Sequence, residues 1–252
     1  SRHLKQDTEI TPHSHAWARV VVCASGVARI TAGHSTYLVP AWRAVWIPPH
    51  IEHLVTVVEA AELRTLYVHQ DAGRVGPGVP HEASAAWRGC RVLEVSALGR
   101  GLVLQGEAAR AGRAGLGGAA LERERRLGEL ALDELRRAAP VRLGVDLPQD
   151  KRLRTLCEAV MQDPSRHATL EGWARETAAS PRTVARLFRQ QLDTSFGPWR
   201  QQVLLAHALR LAAQRRPTGL LAAAPGSASP SAFSAMVRRA VGQPPSRFFA
   251  TA

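Results

Sequence analysis

The chain reads as a two-domain α+β protein, and three observations carry that reading. Short β-branched runs recur through the first eighty residues, helical periodicity takes over from Lys151, and basic charge collects at the far end. With 252 residues and 45% hydrophobic content, two packed cores are affordable and wholesale disorder is excluded. The formal charge of +12 is uneven: residues 151–252 hold 15 basic and 5 acidic side chains, a net +10. Nearly all of that excess is Arg, since Lys5 and Lys151 are the only lysines. The planar guanidinium fork suits phosphate and base edges, so nucleic acid leads as partner, ahead of an anionic membrane surface or an acidic protein.

The β half is punctuated by Gly and Pro. Val20-Val21-Val22 is followed by Gly26, Ala28 to Thr31 by Gly33, and Tyr37-Leu38-Val39 by Pro40. Ala44 to Ile47 stops at Pro48-Pro49, and further runs span Leu54 to Val58, Leu63 to Val68 and Arg91 to Val95. Strands at this spacing predict an all-β sandwich or small barrel. Residues 71–89 read as a Gly/Pro/Ala loop and 97–110 as a helix. A Gly/Ala linker over 111–120 leads into an amphipathic helix with Leu121, Gly128, Leu132, Leu135 and Ala139 on one face. Glu122/Arg126 and Asp133/Arg137 support it four residues apart. That stripe needs a partner, either its own domain or a second subunit, which makes a homodimer expected.

The last hundred residues are helical. Thr169 is placed to cap a helix carrying Leu170, Trp173 and Ala174. Ser180-Pro181 opens another, with Val184, Leu187 and Phe188 on its core face and Arg182, Arg186 and Arg189 on the other. Two short helices joined by a tight turn make a helix-turn-helix. A long helix follows from Trp199, with Val203, Ala206 and Ala213 on its buried side. Ser229-Pro230-Ser231-Ala232-Phe233 then echoes Ser180 to Val184, which predicts a second unit.

No membrane span is present, because nothing approaches about 18 consecutive apolar residues. Cys23, Cys90 and Cys157 are odd in number and widely spaced, against a disulfide framework or a cysteine zinc site. With no signal-like stretch at Ser1 to Lys5, a reducing cytoplasm is expected. No Ser/His/Asp order, phosphate loop or supported carboxylate pair points to catalysis.

Thr169 to Ala174, Ser180 to Phe188, Ser195 to Gln202, and Ser229 to Met236 through Pro244-Pro245-Ser246-Arg247-Phe248 resemble the C-terminal DNA-binding domain of the AraC/XylS family. His13-Ser14-His15-Ala16-Trp17, Ala44 to Pro49, Glu52-His53 and Arg64 to Tyr67 are similar to the cupin-type sensor domain fused to one branch of that family. The resemblance implies a cupin-like β-barrel over residues 1–96, a linker with a dimerisation helix over 97–149, and a DNA-binding domain with two helix-turn-helix units over 150–252. It further implies a one-component, small-molecule-responsive, sequence-specific regulator, not an enzyme, whose partners are duplex promoter DNA, an effector and RNA polymerase.

On this resemblance Arg182, Ala185 and Arg186 meet base edges from the first recognition helix, and Ser231, Ser234 and Ala235 from the second. Arg can fork onto guanine, whereas Ala offers a methyl contact to thymine. Arg189, Arg200, Arg238 and Arg239 are expected to anchor phosphates. Several positions depart from the family pattern: Ala178 in the turn, Leu204 for an Arg, Pro225 and Ser227 in the second unit, and Val237 for a core Phe. Pro within a helix costs about 3 kcal/mol, so the second unit is expected to be shortened or less stable.

His-x-His on a strand places both rings on one face, and a third His could complete a metal site, hence His13, His15 and His53. The carboxylate usual in a cupin metal site is replaced by Arg19, so no cofactor is required and a divalent metal is the weaker expectation. The stronger one is an effector pocket of His13, His15, Trp17, Arg19, Trp46 and His53, with Arg19 pairing an acidic group if it points inward. Two alternatives remain: a cupin metalloenzyme with a basic tail, and a regulator impaired in specific DNA binding.

Overall fold

The computed structural model describes residues 1–33, 35–69, 76–111, 118–141, 143–176, 180–213, 230–241 and 244–246. Nine strands form one sheet: β1 (Arg2–Leu4), β2 (Glu9–His13), β3 (Ala18–Ala32), β4 (Ser35–Pro40), β5 (Arg43–Ile47), β6 (His53–Val68), β7 (Arg91–Glu94), β8 (Pro140–Val141) and β9 (Gly144–Asp146). Strand β3 lies antiparallel to β6 along its length, while its other edge is shared by β5 at Arg19 to Cys23 and β4 at Val27 to Ala32. The register slips between Cys23 and Ala28, where Gly26 sits at φ 74°. A Cβ there would lie 2.1 Å from the Ala60 carbonyl oxygen, so only glycine lets the two long strands bend past each other. The expected runs at 20–22 and 28–31 are thus one continuous strand, as are 54–58 and 63–68. Among the described strands the path β1-β6-β3-β5-β7-β8 is open, so the sheet does not close into the expected barrel.

Both faces of the sheet are covered. Val21, Cys23, Ile30, Val45, Ile47, Val55 and Val57 fill the inner face. Ala18, Val20, Val22, Ala44, Trp46 and Leu93 point the other way, beneath Trp87 and Val103. That is why Val20-Val21-Val22 is apolar without alternation. Helices α2 (Ala97–Ala111) and α3 (Gly118–Arg137) lie over this outer face, after a short α1 (His81–Ser84) and a 3-10 turn (Ala85–Trp87). The expected pairs are made on α3, Arg126 to Glu122 at 2.8 Å and Arg137 to Asp133 at 2.9 Å. Leu132 and Leu135 line a cavity over the sheet, whereas Leu121 and Leu130 are exposed. The segment read as linker then returns to the sheet: β8 pairs with β7, and β9 with β4.

The helical half comprises α4 (Lys151–Gln162), α5 (Leu170–Glu176), α6 (Pro181–Leu192), α7 (Phe196–Ala213) and α8 (Pro230–Val241). Asp150 caps α4 by accepting from the amides of Arg152 and Leu153, and Ser180 caps α6 by accepting from Thr183. Leu153, Leu156, Trp173, Val184, Phe188 and Trp199 form its core together with Val145 and Leu147 from the end of the sheet. The halves meet along α7: Trp199 Nε1 donates to the Asp146 carbonyl at 2.8 Å, and Leu204, Leu205 and Ala208 join the inner-face cluster of the sheet. Leu204 is therefore a packing residue. No helix among the described residues is long and apolar enough to cross a membrane.

Candidate functional site

Three imidazoles converge at one end of the inner face. Register pairs His13 on β2 with His53 on β6, which fixes two rings at 4.4 Å between centroids. His15 lies just past the end of β2, not on the strand as expected, and reaches back to 5.0 Å from His13. Trp17 stacks on His15 at 5.6 Å and is 41% exposed at the rim.

Arg19, on β3, points into this cluster. Its Nη1 donates to Nε2 of His15 at 2.7 Å, of His13 at 2.9 Å and, more weakly, of His53 at 3.4 Å. A guanidinium has no acceptor, so these Nε2 atoms carry lone pairs and each proton sits on Nδ1. Two of those protons have takers: Nδ1 of His13 donates to the Thr11 carbonyl at 2.7 Å, and Nδ1 of His53 to that of Ile51 at 2.9 Å. The rings are held neutral. Burial, followed by the charge of Arg19, lowers the pKa of His15, and burial foremost lowers that of His53.

One ring nitrogen from each histidine lies within 4.8 Å of the others, a spacing from which a metal site could contract. The group standing among them is a cation, however, and no carboxylate joins them among the described residues. These residues do not fit a divalent ion while Arg19 occupies its place.

A cavity of about 460 Å³ opens beside Arg19, within the range of small-molecule sites. Ile10, Val21, Val55 and Leu63 give it apolar walls, and Arg2, Thr11, Thr65 and Tyr67 give it polar ones. Tyr67 also lies within 5.5 Å of the guanidinium carbon. Of the expected pocket residues, His13, His15 and Arg19 line this cavity, and His53 and Trp17 join them through their rings. Trp46 does not. It is fully buried on the outer face, donating Nε1 to the Trp87 carbonyl at 2.9 Å, because β5 turns Val45 and Ile47 inward. Thr65 and Tyr67 were legible in principle, since the period of two on β6 places them with Leu63. Nothing local in the sequence marks Arg2.

The second candidate surface is α6. Arg182, Arg186 and Arg189 are exposed while Val184, Leu187 and Phe188 are buried, and Ala185 is partly covered. At about 100° per residue the three arginines span roughly 60° of the helix, one narrow basic face. Arg186 donates Nη1 to Gln190 Oε1 at 2.8 Å, which steadies the side chain and leaves its other donors outward. Neither Arg182 nor Arg189 forms an ion pair with an acidic side chain among the described residues. On α8, Ser231, Ala235 and Arg238 are exposed and Ser234 is partly covered, with Phe233, Met236 and Val237 turned inward.

Arg200 departs from expectation. It is 8% exposed, and its Nη2 donates to the Pro164 carbonyl at 2.8 Å, tying α7 to the turn after α4. A buried guanidinium so engaged is a structural tie, not a phosphate anchor. The side chain of Arg239, and Ala178, Pro225 and Ser227, lie outside the described residues, and with them the expected weakness of the second unit.

Comparison with known proteins agrees with this division. Residues 4–138 match the family described as AraC-like ligand binding domain, and residues 173–251 match a helix-turn-helix domain family. The chain is 29% identical over 249 residues to the HTH-type transcriptional regulator NimR of Escherichia coli strain K12, covering 98% of this chain and 85% of that one. It is 30% identical over 116 residues to the arabinose operon regulatory protein of Salmonella typhimurium, covering 45% and 41%. Among solved structures it is similar to ToxT from Vibrio cholerae at 8% identity and a TM-score of 0.40, over 99% of this chain and 96% of that one.

Proposed function

Because the chain belongs to the AraC family of transcriptional regulators, we propose that a small-molecule effector in the cavity beside Arg19 sets how α6 and α8 engage promoter DNA. The observation that carries the DNA half is the basic face of α6, where three exposed arginines stand on a helix capped at Ser180 and anchored by Phe188. Arg182 and Arg186, with Ala185 between them, read base edges, and Arg189 holds phosphate. Ser231, Ser234 and Ala235 on α8 make the weaker second contact, and Arg238 and Arg239 serve as phosphate anchors. The protein acts by binding, not catalysis, and needs no resident metal.

Coupling runs through the seam between the halves. Asp146 pairs with Ser35 on β4 and accepts from Trp199 on α7, so a shift of the sheet is felt directly by the helical half. An effector preferring one arrangement shifts the population toward it. The exposed Leu98, Leu104, Leu121 and Leu130 on α2 and α3 support a homodimer through these helices. RNA polymerase is the natural third partner of a promoter-bound regulator. Cys23, Cys90 and Cys157 are free thiols, and burial pushes the first two up to about 12, which suits a reducing cytoplasm.

Fluorescence anisotropy with a candidate promoter duplex and a scrambled one, at several salt concentrations, tests this. A preference for the promoter duplex that survives at high salt is expected. Equal binding to both, vanishing together as salt rises, would leave electrostatics alone.

A further inference from the structure

The cavity beside Arg19 has a charge pattern that selects among effectors. Arg19 and Arg2 line it, and no Asp or Glu does so among the described residues. The nearby Glu62 is already engaged, accepting from Arg64 Nε at 2.8 Å. The three imidazoles orient Arg19 without neutralising it, since each accepts through a lone pair and remains uncharged. The guanidinium thus stands half-buried beside Tyr67 with no carboxylate against it among the described residues, and its Nε–H is buried without a hydrogen-bond partner there. Charge buried in this way calls for an anion.

We propose that the pocket takes a small organic monocarboxylate, held by Arg19 at the place a metal would occupy in a three-histidine site. This rests on the effector-pocket reading above and names its ligand class. The guanidinium carries five N–H donors, more than the histidines take up, and its planar donor geometry matches a carboxylate. The histidines hold Nη1, so the guanidinium is set in direction before the ligand arrives. Arg2 adds a second positive charge, and the hydroxyls of Thr11 and Thr65 supply donors around the headgroup. Ile10, Val21, Val55 and Leu63 then surround an apolar body, which disfavours sugars and inorganic anions.

The test uses the full chain, with benzoate, phenylacetate and hexanoate set against their uncharged amides and against inorganic phosphate. Titration calorimetry and thermal unfolding are read for each. At least one carboxylate is expected to bind and raise the unfolding midpoint in a concentration-dependent way, with its amide at least about tenfold weaker, a factor worth about 1.4 kcal/mol. Arg19→Gln should abolish the response; if that variant does not fold, the carboxylate-to-amide comparison on the unaltered chain still decides. Amides as effective as acids, phosphate as effective as the carboxylates, no response to any carboxylate, or an unchanged Arg19→Gln variant each overturns the proposal. DNA binding is measured on the same samples without added carboxylate. Its loss would sink the regulator reading and leave the carboxylate site standing, and the converse pattern would do the reverse.

Discussion

Replacing Arg19 by Glu should turn the histidine cluster into a metal site. In the native chain a divalent ion entering the cluster would sit about 4 Å from the guanidinium, a repulsion of roughly 8 kcal/mol at an effective dielectric of 20. Moving Arg19 away instead forfeits its two short bonds to His13 and His15, 2.9 and 2.7 Å, each charge-assisted and worth about 1.5–3 kcal/mol. Glu at this position removes the repulsion and adds a carboxylate ligand. The ring nitrogens, within 4.8 Å of one another, need only close to about 3.3 Å, the separation that Zn–N bonds of about 2.0–2.1 Å imply. Binding of Zn²⁺ or Ni²⁺ should pass from weaker than about 1 mM to about 1 μM or tighter, a gain of roughly 4 kcal/mol. Calorimetry and elemental analysis after dialysis give affinity and stoichiometry, and circular dichroism confirms that the variant is folded. One tightly held ion per native chain, lost in His13→Ala, would refute the reasoning.

Three further outcomes follow from the same geometry. Arg189→Ala should lower the slope of log binding constant against log salt by about 1, whereas Arg200→Ala should leave that slope alone and instead lower stability in urea unfolding, since it removes a buried tie to Pro164. Gly26→Ala should cost more than about 2 kcal/mol in the same assay, because it combines a left-handed backbone at φ 74° with a Cβ against the Ala60 carbonyl. Acidification should destabilise the fold: the lowered pKa values of His15 and His53 mean that the unfolded chain binds more protons below the ordinary value of 6.5, so stability present above 6.5 is lost as pH falls through the folded values. A urea midpoint that stays level between about pH 7.5 and 5.5 would contradict this.

What could be read from the sequence was what local chemistry decides. Ser180-Pro181 announced the start of α6 because a cap and a first-turn proline act within three residues, and the arginine face followed from helical geometry. The two halves were legible from the change of period, and the open edge of the sheet was not. Trp46 was misplaced because β5 is buried on both faces, and alternation then tells which residues share a side without telling which side is inward. Arg200 was misplaced because its surroundings come from Pro164, 36 residues away. Strands β8 and β9 were missed since two or three residues carry no periodicity, and β9 is defined by β4, over a hundred positions earlier. The His13 and His15 spacing was visible, but the capture of Arg19 depended on His53 arriving by register and on β3 turning that side chain inward.

Selection of binding sites from random duplexes, with the native chain and Arg186→Ala in parallel, tests sequence-specific reading by α6 most directly. The native chain is expected to recover a motif, and the variant to recover the same motif with one position relaxed, at a cost of about 1–3 kcal/mol on the original site. Recovery of no motif by the native chain, or an identical motif and affinity from the variant, would contradict it.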